Sequence, residues 1–427
     1  GRLVRWGVGR DMKGFITLFS TITLCVLCPL VTAGENDWLQ WRGNARDGQS
    51  AGAAWPGSLD EAHLVRKWRV ELPPSYSGPI ISNDQVFTTE TANKENEIVR
   101  SLNLADGKEI WNTGWEGVMK VPFFAKSNGS WIRSTPASDG EVLVVAGMRD
   151  VLVCIDSASG KKRWHKDFVK ELGTDMPSFG FASSPLIDGN AVFVQAGASL
   201  IKLNKQDGKI IWRSLEDTGG MNGSAFSSPC VATIAGVRQL LVQTRSELCG
   251  VGIDQGKVLW KLPIEAFRNM NILTPVVSGD LIFTSAYGGK TLGIQVGREG
   301  DTWDPEVKWE LKMEGYMSTP VVVDGHAYMH LRNQRFACVE VATGKEKWIT
   351  KKKFGKYWSM IARGGEILAL DQRGKLYHLR ANPEKFDVIN EREVSESETW
   401  AHLAISGDRL VIRELDAVSA FEWKVPS

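Results

Sequence analysis

The sequence predicts an all-β fold: an eight-bladed β-propeller of four-stranded antiparallel blades, the last closed by an N-terminal strand. Three observations carry that prediction. Five segments end in the same way, "VRSLNLADGKEIW" at Trp111, "LVCIDSASGKKRW" at Trp164, "IKLNKQDGKIIW" at Trp212, "CGVGIDQGKVLW" at Trp260 and "ACVEVATGKEKW" at Trp348. Upstream of each glycine lies a second pattern of a small residue, proline, an apolar run, a turn dipeptide and another apolar run, as in "STPASDGEVLVV" and "SSPLIDGNAVFV". From Trp68 to Trp348 the tryptophans recur every 39 to 53 residues, the period of a propeller blade.

Each unit reads as four strands: the proline strand, the strand after the turn dipeptide, the "LxxLD" strand and the tryptophan strand. The dipeptides Asp139-Gly140, Asp188-Gly189, Gly279-Asp280, Asp324-Gly325 and Gly407-Asp408 are the residues that tight hairpins require. Degenerate copies end at Trp309 and around 386–389. The last unit, "WAHLAISGDRLVIRELDAVSAFEW", supplies only three strands. The orphan strand around Trp68 is the missing fourth, and such a join removes the open edge of a ring. The domain plan is residues 1–33 as a cleaved signal peptide, with Met12 as an alternative start, 34–60 as a lead-in and 61–427 as the propeller.

The repeats also decide what "DGKIIW" is for. A ligand site needs groups converging on one place, whereas copies around a ring point to eight places. Gly208 is expected at a positive φ, Lys209 in solvent, and the tryptophans Trp68, Trp111, Trp164, Trp212, Trp260, Trp309 and Trp348 as wedges between blades, each N–H finding a carbonyl.

The chain has 427 residues, 24% of them charged, and a formal net charge of +1, which gives no reason to expect nucleic acid. Arg2, Arg5, Arg10 and Lys13 precede an apolar stretch from Phe15 to Val31, and Val31-Thr32-Ala33 suits signal peptidase. The chain therefore reads as an exported bacterial protein of the periplasm or exterior, with no membrane span after cleavage. Cys28 lacks the small preceding residue of a lipoprotein box. Cys154, Cys230, Cys249 and Cys338 show no disulfide spacing and are expected as buried thiols.

The whole pattern resembles the tryptophan-docking repeat of the quinoprotein (PQQ) dehydrogenase-like propellers, which include non-catalytic relatives such as the propeller lipoprotein of the outer-membrane assembly machine. The stretch "DWLQWRGNARDGQSAG" is similar to the lead-in of secreted propellers of this type, and Trp38 and Trp41 are expected on the ring's outside. The resemblance implies, for catalytic members, a quinone clamped between a tryptophan and an adjacent-cysteine disulfide, calcium on a Glu/Asn/Asp set, and an aspartate base. This chain has no Cys-Cys pair and is shorter than those enzymes.

Other candidates for chemistry weaken on spacing. His326 and His330 lie about 13 Å apart along one strand face, too far to share a metal, and read as edge residues. Glu299, Asp301, Asp304 and Glu306 mark an insertion where calcium is conceivable and a solvated loop is preferred.

Function is therefore sought on the unequal loops between blades, nearly all of which carry an aromatic just before the proline strand. Phe123, Phe124, Trp131, Arg133, Phe179, Phe181, Phe226, Tyr316, Tyr357, Trp358, Trp400 and His402 form the candidate face. They either plug the channel as core or offer a docking surface. The expected function is that of a non-catalytic, monomeric binding or scaffold propeller, with no catalytic, cofactor or metal residues, whose partner is an envelope protein, peptide or glycan. The alternative is a reduced sugar or alcohol dehydrogenase using PQQ with Ca²⁺.

Overall fold

A computed structural model describes residues 34, 36–93, 95–117, 119–123, 126, 129–217 and 225–424. The proposed signal segment, its cleavage point and Phe124 lie outside the described residues. Among the described residues thirty-two strands pair as eight four-stranded antiparallel sheets. Blades one to seven take consecutive strands over 80–116, 137–167, 186–214, 230–263, 276–311, 321–349 and 358–393. Blade eight joins three strands over 404–423 to Leu64–Glu71, with Leu64 opposite Trp423 and Glu71 opposite Ala417. The orphan N-terminal strand thus closes the ring. Among the described residues no helix is long and apolar enough to cross a membrane.

The apolar alternation of the middle strands has two covered faces, because each blade packs on both neighbours. Val142, Val144, Leu152 and Cys154 of blade two pack with Val192, Val194 and Ile201 of blade three. On the other face Leu143, Val145, Val153 and Ile155 pack with Phe87 and Val99 of blade one.

In blades one to seven the third and fourth strands shift register by one residue at the same place, beside the tryptophan position. Such a bulge leaves one residue unpaired and re-aims its neighbour. In blades one and three the unpaired residues are Ile110 and Ile211, which are about half exposed. The indoles beside these bulges lean across the seam. Nε1 of Trp68, Trp111, Trp164, Trp212, Trp309 and Trp348 donates to Leu104, Ser157, Lys205, Ile253, Val341 and Asn382 carbonyls of the following blade, at 2.8 to 3.2 Å.

The glycine of the next copy completes the dock. Gly208 has φ 70°, and a Cβ there would come within 2.7 Å of the Trp164 ring. The opening residue of each Gly-Lys turn is therefore glycine for two reasons, its left-handed backbone and the indole lying on it. Lys209 pairs with Asp207 in solvent.

Two seams depart from this scheme. Trp260 donates to Gln239 Oε1 of its own blade, at 2.7 Å. Blade five has no Gly-Lys turn there, and its long hairpin, Thr291–Glu299 with Thr302–Leu311, brings Trp303 to that cluster instead. In blade seven the tryptophan position is Asn390, opposite His378. Trp55 of the lead-in fills that seam, 6.3 Å from Trp423 and 6.0 Å from His378 between ring centroids, under the Arg363 guanidinium.

Blades one and two are also pinned by Glu97, which is fully buried and accepts from Trp115 Nε1 at 2.8 Å and Met148 N at 2.9 Å. Burial pushes its carboxyl up to about 7 against those two donors. A carboxyl raised in the folded state stabilises fully below the unfolded value near 4.5 and loses that contribution as pH rises towards 7. Relative to Glu97→Gln, the native chain should lose roughly 3 kcal/mol across that window. Urea titrations of both proteins at several pH values test this, and a pH-independent difference between them would contradict it.

Candidate functional site

The axis of the ring is built from the residues that lead into each innermost strand. The residue immediately before the proline position is Gly78, Thr135, Ser184, Ser228, Thr274, Thr319, Ser359 and His402 in blades one to eight. Their hydroxyls stitch neighbouring blades together. Gly78 N donates to Thr135 Oγ1, Thr135 N to Ser184 Oγ, Ser184 N to Ser228 Oγ, Ser228 N to Thr274 Oγ1 and Thr274 N to Thr319 Oγ1, at 2.9 to 3.1 Å. On the other side Leu403 N donates to Ser359 Oγ. The small residue before proline is thus a hydrogen-bonded hoop, and the proline itself sits where no N–H is needed.

Two residues upstream a second set stands at the mouth: Tyr76, Arg133, Ala182, Phe226, Ile272, Met317, Tyr357 and Trp400. Tyr357 stacks on Trp400 at 6.3 Å, Trp400 meets Tyr76 at 5.9 Å, and the Arg133 guanidinium lies 5.8 Å from the Tyr76 ring. Trp131 borders the Tyr76 hydroxyl. Burial pulls the Arg133 guanidinium down to about 10. These residues are half-buried, so they form an arc across blades two, one, eight and seven with part of each ring in solvent.

The remaining candidates scatter. Phe179 and Phe226 pair at 5.6 Å, and Phe123 is 90% exposed. Tyr316 packs on Tyr287 at 4.8 Å, beside Phe267 and Arg332. Phe181 and Trp358 are core residues, with Trp358 ringed by Phe336, Phe354 and Tyr377 and its indole held by Asp371. His402 is buried on the axis, where desolvation and then the Arg42 charge hold its imidazole down at about 3. A separate cleft of about 680 Å³ between blades two and four takes in Phe181, Met176, Asp150 and Arg245.

Sequence reasoning placed the lead-in wrongly. Trp38 and Trp41 are inside the ring: Trp38 N and O pair with Ile81, its ring stacks on His402, and Trp41 meets His402 edge-on. From there the segment touches blade two through Leu39 O to Ser138 N and blade seven through Gly48 O to Ala362 N. Arg42 donates to Thr319 O and Pro320 O of blade six, and Arg46 to Ser184 O and Pro185 O of blade three. One short segment can reach blades one, two, three, six, seven and eight only by lying across the axis. It stoppers the channel on the turn side, and "WRGNAR" carried the signal in its two arginines.

His330 is likewise no edge residue; it is buried, with Nε2 at 2.9 Å from Gly355 O. The insertion 299–306 is a strand hairpin. Among the described residues no three His, Cys, Asp or Glu side chains gather as metal ligands, and the four described cysteines are free and buried, burial raising each thiol.

Comparison with known proteins agrees with this architecture. The outer membrane protein assembly factor BamB of Yersinia pestis is 20% identical over 327 residues, 74% of this chain and 77% of that protein. BamB of Moranella endobia is 21% identical over 302 residues, 70% and 62%. The crystal structure of BamB from Moraxella catarrhalis superposes with a TM-score of 0.64 at 15% identity, covering 84% of this chain and all of that one. A quinohemoprotein alcohol dehydrogenase from Pseudomonas putida gives 0.60 at 11% identity over 92% and 82%, which speaks for the fold alone. The family model described as outer membrane protein assembly factor BamB matches residues 94–350, more than half of the chain, and the chain belongs to that family of PQQ-like propellers.

Proposed function

We propose that this chain is an exported, non-catalytic scaffold propeller that docks an envelope protein on the rim of its channel mouth. The observation that carries this reading is the arc of Arg133, Tyr76, Trp400 and Tyr357, half-buried aromatic faces beside a guanidinium on a rigid ring. Rings with one apolar face and one polar edge, next to arginine, are the side chains that anchor protein interfaces. Relatives named as assembly factors support a protein partner over a peptide or glycan, and also support a periplasmic location.

The enzyme reading draws little support from the axis, whose inward groups are hydroxyls, guanidiniums and rings. Two carboxylates near the mouth are already engaged: Asp371 accepts from Gly355 N, Trp358 Nε1 and Arg373 N, and Glu398 from Gln372 Nε2 and Trp400 Nε1. A calcium-held quinone does not fit that donor set.

Affinity capture from envelope extracts tests the docking reading, with Trp131→Ala and Trp400→Ala as variants, because these rings are half-exposed whereas Trp358 is core. Loss of a captured partner at unchanged melting temperature supports it. An unchanged partner set with both variants overturns it. Dye reduction on addition of PQQ, Ca²⁺ and an alcohol or sugar would restore the enzyme reading.

A further inference from the structure

The cleft between blades two and four holds a buried carboxylate that no described cation neutralises. Asp150 stands in the turn between Val142–Gly147 and Val151–Asp156, at φ 61°, and is 3% exposed. Its Oδ2 accepts Gly197 N of blade three at 2.8 Å. Its Oδ1 accepts no hydrogen bond and is not sealed off by protein, so it opens on the cleft that Asp150 lines. Burial pushes this carboxyl up to about 6, the Gly197 bond offsetting part of the effect and the Asp167 charge adding to it. The group is therefore still largely ionised at neutral pH.

Glu97 shows how a carboxyl serves such a seam when it has no other task. At the start of the third strand of blade one it uses both oxygens, accepting Trp115 Nε1 on one and Met148 N on the other. Asp150 uses one. For the Gly197 bond alone an asparagine would do, since its amide oxygen accepts the same N–H and asparagine tolerates a left-handed backbone. A charge taken out of water without a partner is costly. The free oxygen is thus aimed at something that the chain does not itself supply.

The rest of the wall agrees in sign. Gln195 is buried, and its Nε2 donates to Ser227 O and Gln243 O, which fixes the amide and leaves Oε1 as a second acceptor without a donor on the cleft wall. Asp175, Glu216, Asp217 and Glu247 line the same cleft, against the guanidinium of Arg245, which pairs with Asp217 at 2.7 Å. Met176, Pro177 and Leu215 add apolar surface, and a volume of about 680 Å³ suits a small ligand.

We propose that this cleft binds a primary ammonium group on an alkyl stem, the ammonium on Asp150 Oδ1 and the stem along Met176, Pro177 and Leu215. This does not rest on the docking reading, which concerns the arc on blades two, one, eight and seven, so either can fail alone.

Calorimetric titration of the full chain with n-butylammonium, and separately with n-butanol and butyrate at matched ionic strength, tests it. Saturable binding of butylammonium alone is expected, weaker by about tenfold or more in Asp150→Asn, which loses a charge-assisted hydrogen bond. That variant keeps the Gly197 bond and the left-handed turn, so its melting temperature should not fall, which separates lost binding from lost fold. Met176→Ala should weaken binding less. A capped Gly-Lys-Gly peptide that binds more tightly than butylammonium assigns the ammonium to a polypeptide side chain, and weaker binding assigns it to a free amine. Butylammonium that does not saturate, butanol that binds as well, or an unchanged affinity in Asp150→Asn overturns the proposal.

Discussion

Trp68→Ala should lower the unfolding free energy by about 3–5 kcal/mol, the cost of removing a large buried ring from a site that cannot collapse. The indole is 8% exposed, lies on Gly107 so closely that a Cβ there would come within 2.7 Å, and donates to Leu104 O at 2.9 Å. It docks the closing blade on blade one, so the defect falls on the seam that joins the two ends of the ring. Trp68→Phe keeps most of the filling and leaves Leu104 O unpaired, which should cost roughly 1–3 kcal/mol. Urea unfolding followed by tryptophan fluorescence measures both. A loss below 1 kcal/mol for the alanine variant would mean that strand pairing alone holds the seam.

Arg42→Ala is expected to cost a similar amount, about 3–5 kcal/mol, by a different route. Its removal strands the carbonyls of Thr319 and Pro320 inside the channel, each worth roughly 1–3 kcal/mol when left unpaired, and opens a void beneath Trp41. Arg42→Lys keeps a charge but cannot reach both carbonyls as a fork, so it should recover less than half of the loss. Circular dichroism melts of the three proteins check the order. If Arg42→Ala melts within 2 °C of the parent, the stopper contributes nothing to the ring.

The fold was legible because the blade is repeated: the turn dipeptides, the Gly-Lys and the tryptophan recur at blade spacing, and Trp68 stood out as a strand without a blade. The three-strand last unit then told where it belonged. Trp38, Trp41, Arg42 and Arg46 were not legible in the same way, because a segment outside the repeat has no copies to align, and its position is set by contacts with residues some 140 to 280 positions away. Of the candidate rim, Trp131, Arg133, Tyr357 and Trp400 do meet, together with Tyr76, which the loop reading passed over although it occupies the same position relative to its proline. Phe181 and Trp358 are packed in the cores between blades and His402 lies against Trp38 and Trp41, and sequence alone does not give which of these sides an aromatic beside the innermost strand takes.

The lead-in and the closing strand belong to one stretch, residues 38–71, that contacts blades one, two, three, six, seven and eight. Its pairing with 417–423 joins segments separated by the other seven blades, so loop-closure entropy is met before that pairing yields any contact. Each blade is a local hairpin array that can form early, but the circle locks only when residues 64–71 find residues 417–423. Assembly of such a ring is therefore expected to be limited by one late, long-range event, and until then the open end of blade eight remains the place where another strand could pair in its stead.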